Sequence, residues 1–132
     1  MSTKEEMAFD VCWEVYKSAR ELMEAKRGLG ALDFKESTKY LWRPDFRARM
    51  KEWVADFALA GNAALDDPCC SSRLVMFRLY HLGLAPYDKA RHFLGLTEYS
   101  WGNWSDEVRR RVGKELLRRR MFPPRRYFNS VV

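Results

Sequence analysis

The first half of the chain carries apolar residues at the three- and four-residue spacing of α-helices. A first helix is predicted to begin after Ser2 or Thr3, either of which can cap it, and to end at Gly28-Leu-Gly30. A second is predicted from Pro44, which suits a first helical position, to about Gly61. Residues 31 to 43 are ambiguous, with a short helical turn as one reading. The apolar positions of the two helices are Ala8, Val11, Cys12, Val15, Ala19 and Leu22, then Phe46, Met50, Trp53, Val54 and Phe57.

The second half of the chain repeats these helix signals. Asp67-Pro68 places an acidic cap before a proline, and the apolar run that follows, residues 74 to 82, covers almost every side of a helix closed by Gly83. A short helix over 86 to 94 and a longer one ending near Arg120 come next. No segment alternates as strands do. We therefore predict an all-α orthogonal bundle of five or six helices.

Composition supports a folded chain. The 132 residues are 47% hydrophobic and 14% aromatic, enough apolar material for one domain with a real core. Neither a targeting segment nor a membrane-spanning run is recognisable, so we expect a soluble, cytoplasmic protein without membrane contact. The three cysteines, Cys12 and Cys69-Cys70, lack metal-type spacing, and we expect them to be reduced and buried.

Charge is confined to one segment near the end of the chain. Residues 105 to 126 hold nine basic and three acidic residues, and this excess equals the formal net charge of the whole protein, +6. The remaining residues are balanced. A charge confined to one helix and its tail creates a local field suited to attracting a polyanion.

Residues 86 to 104 resemble a helix-turn-helix, in particular the DNA-binding region four of bacterial sigma factors and sigma-like regulators. In that pattern a glycine makes the turn, an aliphatic residue plugs the core and a Ser or Thr caps the recognition helix, and Gly95, Leu96 and Thr97 match these roles in order. Arg91 departs from the pattern, because it stands where the family has a small residue. The resemblance implies DNA binding. It covers the last third of the chain, so we divide the sequence into a helical platform, 1–62, and a helix-turn-helix-like unit with a basic tail, 67–128, together one compact domain.

The final helix is predicted to have one packing side and one basic side. Trp101, Trp104, Val108, Val112 and Leu116 gather on the first. A break at Gly102, with Ser105 capping a new helix, is an open alternative. After Met121, tandem prolines end the helix, and Tyr127 and Phe128 are expected to fold back onto apolar surface. The candidate DNA-binding residues are Thr97, Tyr99, Ser100, Asn103, Arg110, Arg111, Lys114, Arg118, Arg119, Arg120, Arg125 and Arg126.

The expected function is sequence-preferring binding of double-stranded DNA in transcription control, with RNA polymerase or another nucleic-acid machine as a further partner. The competing hypothesis is a small protein-interaction module, an adaptor or a phage-borne inhibitor of such a machine. It rests on the five tryptophans, with Tyr40 and Trp42 as the candidate protein interface. Under both hypotheses the protein is not an enzyme and needs no cofactor or metal, because His81 and His92 lack partners at ligand spacing and no phosphate-binding glycine loop is present.

Overall fold

The computed structural model describes residues 2–24 and 47–129. This part of the chain forms a bundle of six α-helices without a strand, so the all-α prediction is confirmed. A 3₁₀ turn, Pro68–Cys70, leads into the third helix, which continues as a π-helix over Phe77–Leu82. The α-helices are α1 Lys4–Glu24, α2 Arg47–Ala64, α3 Ser71–Met76, α4 Tyr87–Leu94, α5 Glu98–Arg118 and α6 Pro124–Asn129.

The predicted caps begin the helices as expected. At α1 the Glu6 amide donates to Thr3 Oγ1 at 3.1 Å, and the Thr3 amide donates to the Glu6 carboxylate at 2.9 Å, which is a capping box. Asp67 accepts from the Cys69 amide at 2.9 Å. The predicted helix end at Gly28-Leu-Gly30, the stretch 31–43 with Tyr40 and Trp42, and Pro44 lie outside the described residues.

Helices α1 and α5 approach each other closely at Gly113. A Cβ atom on Gly113 would collide with the Glu5 carbonyl oxygen, so only glycine fits at this contact. Around it the core is dominated by aromatic rings from several helices. The largest fully buried side chains include Phe9, Trp53, Phe57, Phe77 and Phe128.

Side chains of α1 donate hydrogen bonds to backbone carbonyls at the end of the π-helix. Trp13 Nε1 donates to the His81 carbonyl at 2.9 Å, and both Tyr16 and Arg20 donate to the Leu82 carbonyl, at 2.7 and 2.8 Å. These donors satisfy carbonyls that a helix end leaves without intrahelical partners. Gly83 follows the last π-helical residue, as predicted.

The tail docks onto the bundle. Tyr127 and Phe128 are buried, which confirms their predicted return to apolar surface. The Tyr127 hydroxyl donates to Asp56 at 2.7 Å, and Arg49 donates to the Tyr127 carbonyl at 2.8 Å. Helix α6 is thus fixed to α2.

The prediction of buried cysteines is right for Cys12 and wrong for Cys69, while the side chain of Cys70 lies outside the described part of the structure. Cys12 is buried in the core, where desolvation raises the pKa of its thiol. Cys69 is exposed, contrary to expectation, because it lies in the short 3₁₀ turn at the start of α3 rather than on an inward helical face.

Candidate nucleic-acid interface

Helices α4 and α5 are joined by the turn that the sequence predicts. Gly95 has φ +68°, a left-handed conformation that glycine adopts without a steric penalty. The Gly95 amide donates to the His92 carbonyl and the Leu96 amide to the Arg91 carbonyl, both at 3.0 Å, which closes α4 with a Schellman motif. Thr97 Oγ1 then accepts from the Ser100 amide at 3.0 Å and caps α5. Gly95 and Thr97 thus occupy their expected places.

Helix α5 runs without a break through Gly102, which resolves the alternative of a new helix at Ser105. Trp101 is buried, held between the rings of Tyr80 and Tyr87, whose centroids lie 4.9 and 5.1 Å from its own in edge-to-face contacts. Val108, Val112 and Leu116 are buried on the same side, as the helical wheel predicts, and Trp104 is half-buried beneath Arg73.

The exposed side of the first turns of α5 carries the predicted base-reading residues. Tyr99 is 80% exposed and Asn103 is exposed. Ser100 is half-buried, and its hydroxyl accepts from Thr97 Oγ1 at 3.0 Å. Phe93, at the end of α4, is 73% exposed beside the same turn, and nothing in its sequence neighbourhood distinguishes it from a core residue.

The departure at Arg91 has a structural explanation. Ala90, one position earlier, faces the core with 1% of its surface exposed. Arg91 lies half-buried beside the turn and donates to the Leu96 carbonyl at 3.0 Å. The small residue that the packing of α4 requires is therefore present at position 90, and the arginine supports the backbone of the turn.

Three consecutive arginines of the basic segment bind acidic partners elsewhere in the fold. Arg109 makes a two-pronged contact with Asp10 of α1, at 2.9 and 2.7 Å, and a further one with Asp106 at 3.0 Å. Arg110 contacts Glu6 at 3.4 Å. These bonds fasten α5 to α1.

Arg111 is the third of these arginines. It donates to the Ala64 carbonyl at 2.8 Å and pairs with Glu107 at 3.4 Å and, more weakly, with Asp67 at 3.8 Å. Its guanidinium therefore joins α5 to the end of α2. Less than a third of the Arg111 side chain is exposed, against about half of the Arg110 side chain, so Arg110 is the more accessible of the two to a ligand.

The other basic candidates form what we call the C-terminal basic patch. Its members are Lys114, Arg118, Arg119, Arg120, Arg125 and Arg126, all exposed. Arg118 and Arg119 share Glu115, at 2.5 and 2.6 Å, and their hydrogen bonds lower the pKa of that carboxyl to about 2. For Lys114, Arg120, Arg125 and Arg126 the described chain supplies no ion-pair partner. The patch therefore keeps most of its charge for a ligand.

Four of the candidate residues share one face of α5. Tyr99, Asn103, Arg110 and Lys114 lie within about 60° of arc on α5. Tyr99 and Arg118 are nevertheless about 28 Å apart along the axis, at 1.5 Å per residue. At the end near the turn the acidic Glu98 precedes Tyr99 in the sequence, whereas the far end is strongly basic.

The two histidines lie in different environments. His81 is buried among aromatic rings, where desolvation lowers its pKa to about 3, and His92 lies exposed on α4 with Nδ1 2.7 Å from the Asp88 carbonyl. Within the described ranges no three His, Cys, Asp or Glu side chains cluster as metal ligands would.

Among the described helices none is long and apolar enough to cross a membrane. No family model, curated protein or solved structure matches the chain.

Proposed function

We propose that the protein is a cytoplasmic, sequence-preferring duplex DNA-binding protein of transcription control that uses α4 and α5 as a helix-turn-helix. The observation that carries this proposal is the combination found on α5. Thr97 caps the start of α5 after the glycine turn, and Tyr99 and Asn103 are exposed near that start. Residues of the C-terminal basic patch lie at the other end of the same helix.

The two ends of α5 would do different work on DNA. In a helix-turn-helix the N-terminal residues of the recognition helix contact base edges, and the far end of α5 lies about 28 Å further along the helix axis. The exposed side chains near the turn, Tyr99 and Asn103, are the candidates for base edges. The basic patch then meets phosphates outside the groove, where arginine and lysine contribute affinity without sequence preference.

Backbone strain at Arg120 also supports a role for the patch. Its φ is +61°, a left-handed conformation in which a non-glycine residue is strained. The side chain is exposed and contributes nothing to the core. Strain of this kind is concentrated at functional positions, where the side chain is needed for another purpose.

The experiment is a comparison of matched variants in binding to several duplexes of different sequence. Lys114→Ala and Arg118→Ala are expected to weaken binding to every duplex alike, and Lys51→Ala, which removes an exposed charge from α2, serves as the control. Tyr99→Ala and Asn103→Ala are expected to change the ranking of the duplexes. If all five variants behave like the wild type, neither end of α5 contacts DNA.

One observation favours the alternative function, a protein-interaction module or inhibitor acting on RNA polymerase or another nucleic-acid machine. Phe93 and Tyr99 are large rings that are 73% and 80% exposed, and exposed aromatic residues are common anchors at protein interfaces. Under this alternative Phe93→Ala would abolish binding to a protein partner, and the folded chain would ignore duplex DNA.

A further inference from the structure

An open cleft of about 510 Å³ lies between α1 and the linker that joins the π-helix to α4. This volume is in the range of small-molecule sites. Three aromatic side chains, Trp13, Tyr80 and Tyr87, line the cleft together with two carboxylates, Glu21 and Glu24. The cleft is separate from the C-terminal basic patch, none of whose residues line it.

The backbone around the cleft is irregular and held in place. The π-helix ends at its edge, and π-helical turns occur often at functional sites. Leu84, in its wall, has φ +58°, a conformation that is unfavourable for a branched residue. The Trp13 indole is fixed by its bond to the His81 carbonyl. The position of Trp13 in the cleft is therefore fixed by the fold.

The charges in the cleft favour a cation. The Lys17 ammonium pairs with Glu14 at 2.9 Å and lies 3.8 Å from the centroid of the Trp13 ring, a cation–π contact made by the protein itself. Glu24 is paired with Arg20 at 3.0 Å, whereas Glu21 has no ion-pair partner among residues 2–24 and 47–129. An aromatic wall beside an available carboxylate is a favourable environment for an alkylammonium group.

We infer that this cleft binds a small organic cation, whose ammonium group takes the place of the Lys17 ammonium on the Trp13 ring and lies near Glu21. The inference does not depend on DNA binding. Because Tyr80 and Tyr87 both pack on Trp101, a ligand in the cleft also touches the rings that hold α5. Its binding should therefore be detected at Trp101 as well as at Trp13.

The test is an NMR titration of the indole N–H signals with choline, in the absence of DNA and at constant ionic strength. Its neutral isostere, 3,3-dimethylbutan-1-ol, is the control ligand, and Trp13→Phe assigns the Trp13 signal. Choline is expected to shift the Trp13 and Trp101 signals at concentrations where the alcohol does not. Equal shifts with both compounds, or none with choline, would overturn the inference.

Variants at Lys17 and Glu21 of α1 are expected to change the affinity for choline in opposite directions. Lys17→Met uncovers the Trp13 face and removes a like charge, so choline should bind about two- to five-fold more tightly. Glu21→Gln should bind it about two-fold more weakly, whereas Glu52→Gln, an exposed carboxylate of α2 outside the cleft, should leave binding unchanged. Weaker binding by Lys17→Met, or equal binding by the two Gln variants, would contradict the proposed position of the cation.

Discussion

Arg120 occupies at the end of α5 the same left-handed backbone position that Gly95 occupies at the end of α4, with φ values of +61° and +68°. The hydrogen bonds match as well. The Arg120 amide donates to the Leu117 carbonyl at 3.1 Å and the Met121 amide to the Leu116 carbonyl at 3.0 Å, so both helices end in a Schellman motif. One motif carries the residue that suits it, and the other carries an arginine.

Arg120→Gly is therefore expected to stabilise the protein and to weaken DNA binding. Relief of the left-handed conformation is worth about 1–2 kcal/mol, and the greater freedom of glycine in the unfolded chain returns about half of that, leaving a gain of about 0.5–1 kcal/mol. Urea denaturation measures the change, with Gly95→Ala as the opposite case, expected to destabilise. A loss of stability in Arg120→Gly would show that its side chain makes a stabilising contact.

Two glycines of α5 should respond in opposite ways to alanine. At Gly113 the new methyl would collide with the Glu5 carbonyl oxygen, so α1 must move away, at a cost of about 1–3 kcal/mol. At Gly102 the methyl meets nothing within 4 Å, and alanine should stabilise the helix by about 0.5–1 kcal/mol. Thermal melts of both variants decide the matter. Equal effects would mean that α1 and α5 do not approach closely at Gly113.

Trp101 should be required for folding, while its exposed neighbours are not. Trp101→Ala removes a buried ring that contacts Tyr80 and Tyr87, and a cavity of that kind costs about 3–5 kcal/mol. Tyr99→Ala and Asn103→Ala should leave the melting temperature nearly unchanged, because both side chains project into solvent. The reverse pattern would show that the exposed face of α5 is turned inward.

His81 makes stability depend on pH. Burial lowers its pKa to about 3 in the folded protein, below the ordinary 6.5, so the unfolded chain binds the proton more readily. The contribution of His81 is complete above pH 6.5 and falls as the pH drops towards 3, by about 1.4 kcal/mol per unit. The free energy of unfolding, measured by urea denaturation between pH 4 and 7, should change with this slope in the wild type and in His92→Gln. In His81→Leu the slope should be smaller. An unchanged slope in His81→Leu would show that other groups cause the pH dependence of stability.

The sequence predicts the local features of this fold well, because they depend on residues close together in the chain. Thr3, Asp67 and Thr97 cap their helices, and Gly95 makes its turn, through bonds that span only a few positions. The pairing of Arg109 with Asp10 joins residues 99 positions apart, and no local pattern predicts it. That pairing, with those of Arg110 and Arg111, changes the candidate interface, because it shifts the available charge towards the C-terminal end of α5.

The left-handed conformation of Leu84 and the cleft beside it could not be predicted from the sequence either. Leucine rarely adopts positive φ, so the residue type gives no sign of it. The cleft depends on where α1 lies relative to the π-helix, which is fixed by the bonds of Trp13 and Tyr16 to backbone carbonyls. Tertiary contacts of this kind depend on how the helices pack, and the spacing of residue types along the sequence does not predict them.

The most direct test of the DNA-binding proposal is a salt series of duplex binding measured by fluorescence anisotropy. If the C-terminal basic patch contacts phosphates, the logarithm of the association constant should fall linearly with the logarithm of salt concentration, with a slope of about −0.9 per phosphate contacted. Lys114→Ala and Arg118→Ala should each reduce the magnitude of that slope by about one, whereas Lys51→Ala should not. Absence of binding at low salt by the folded protein would contradict the proposal.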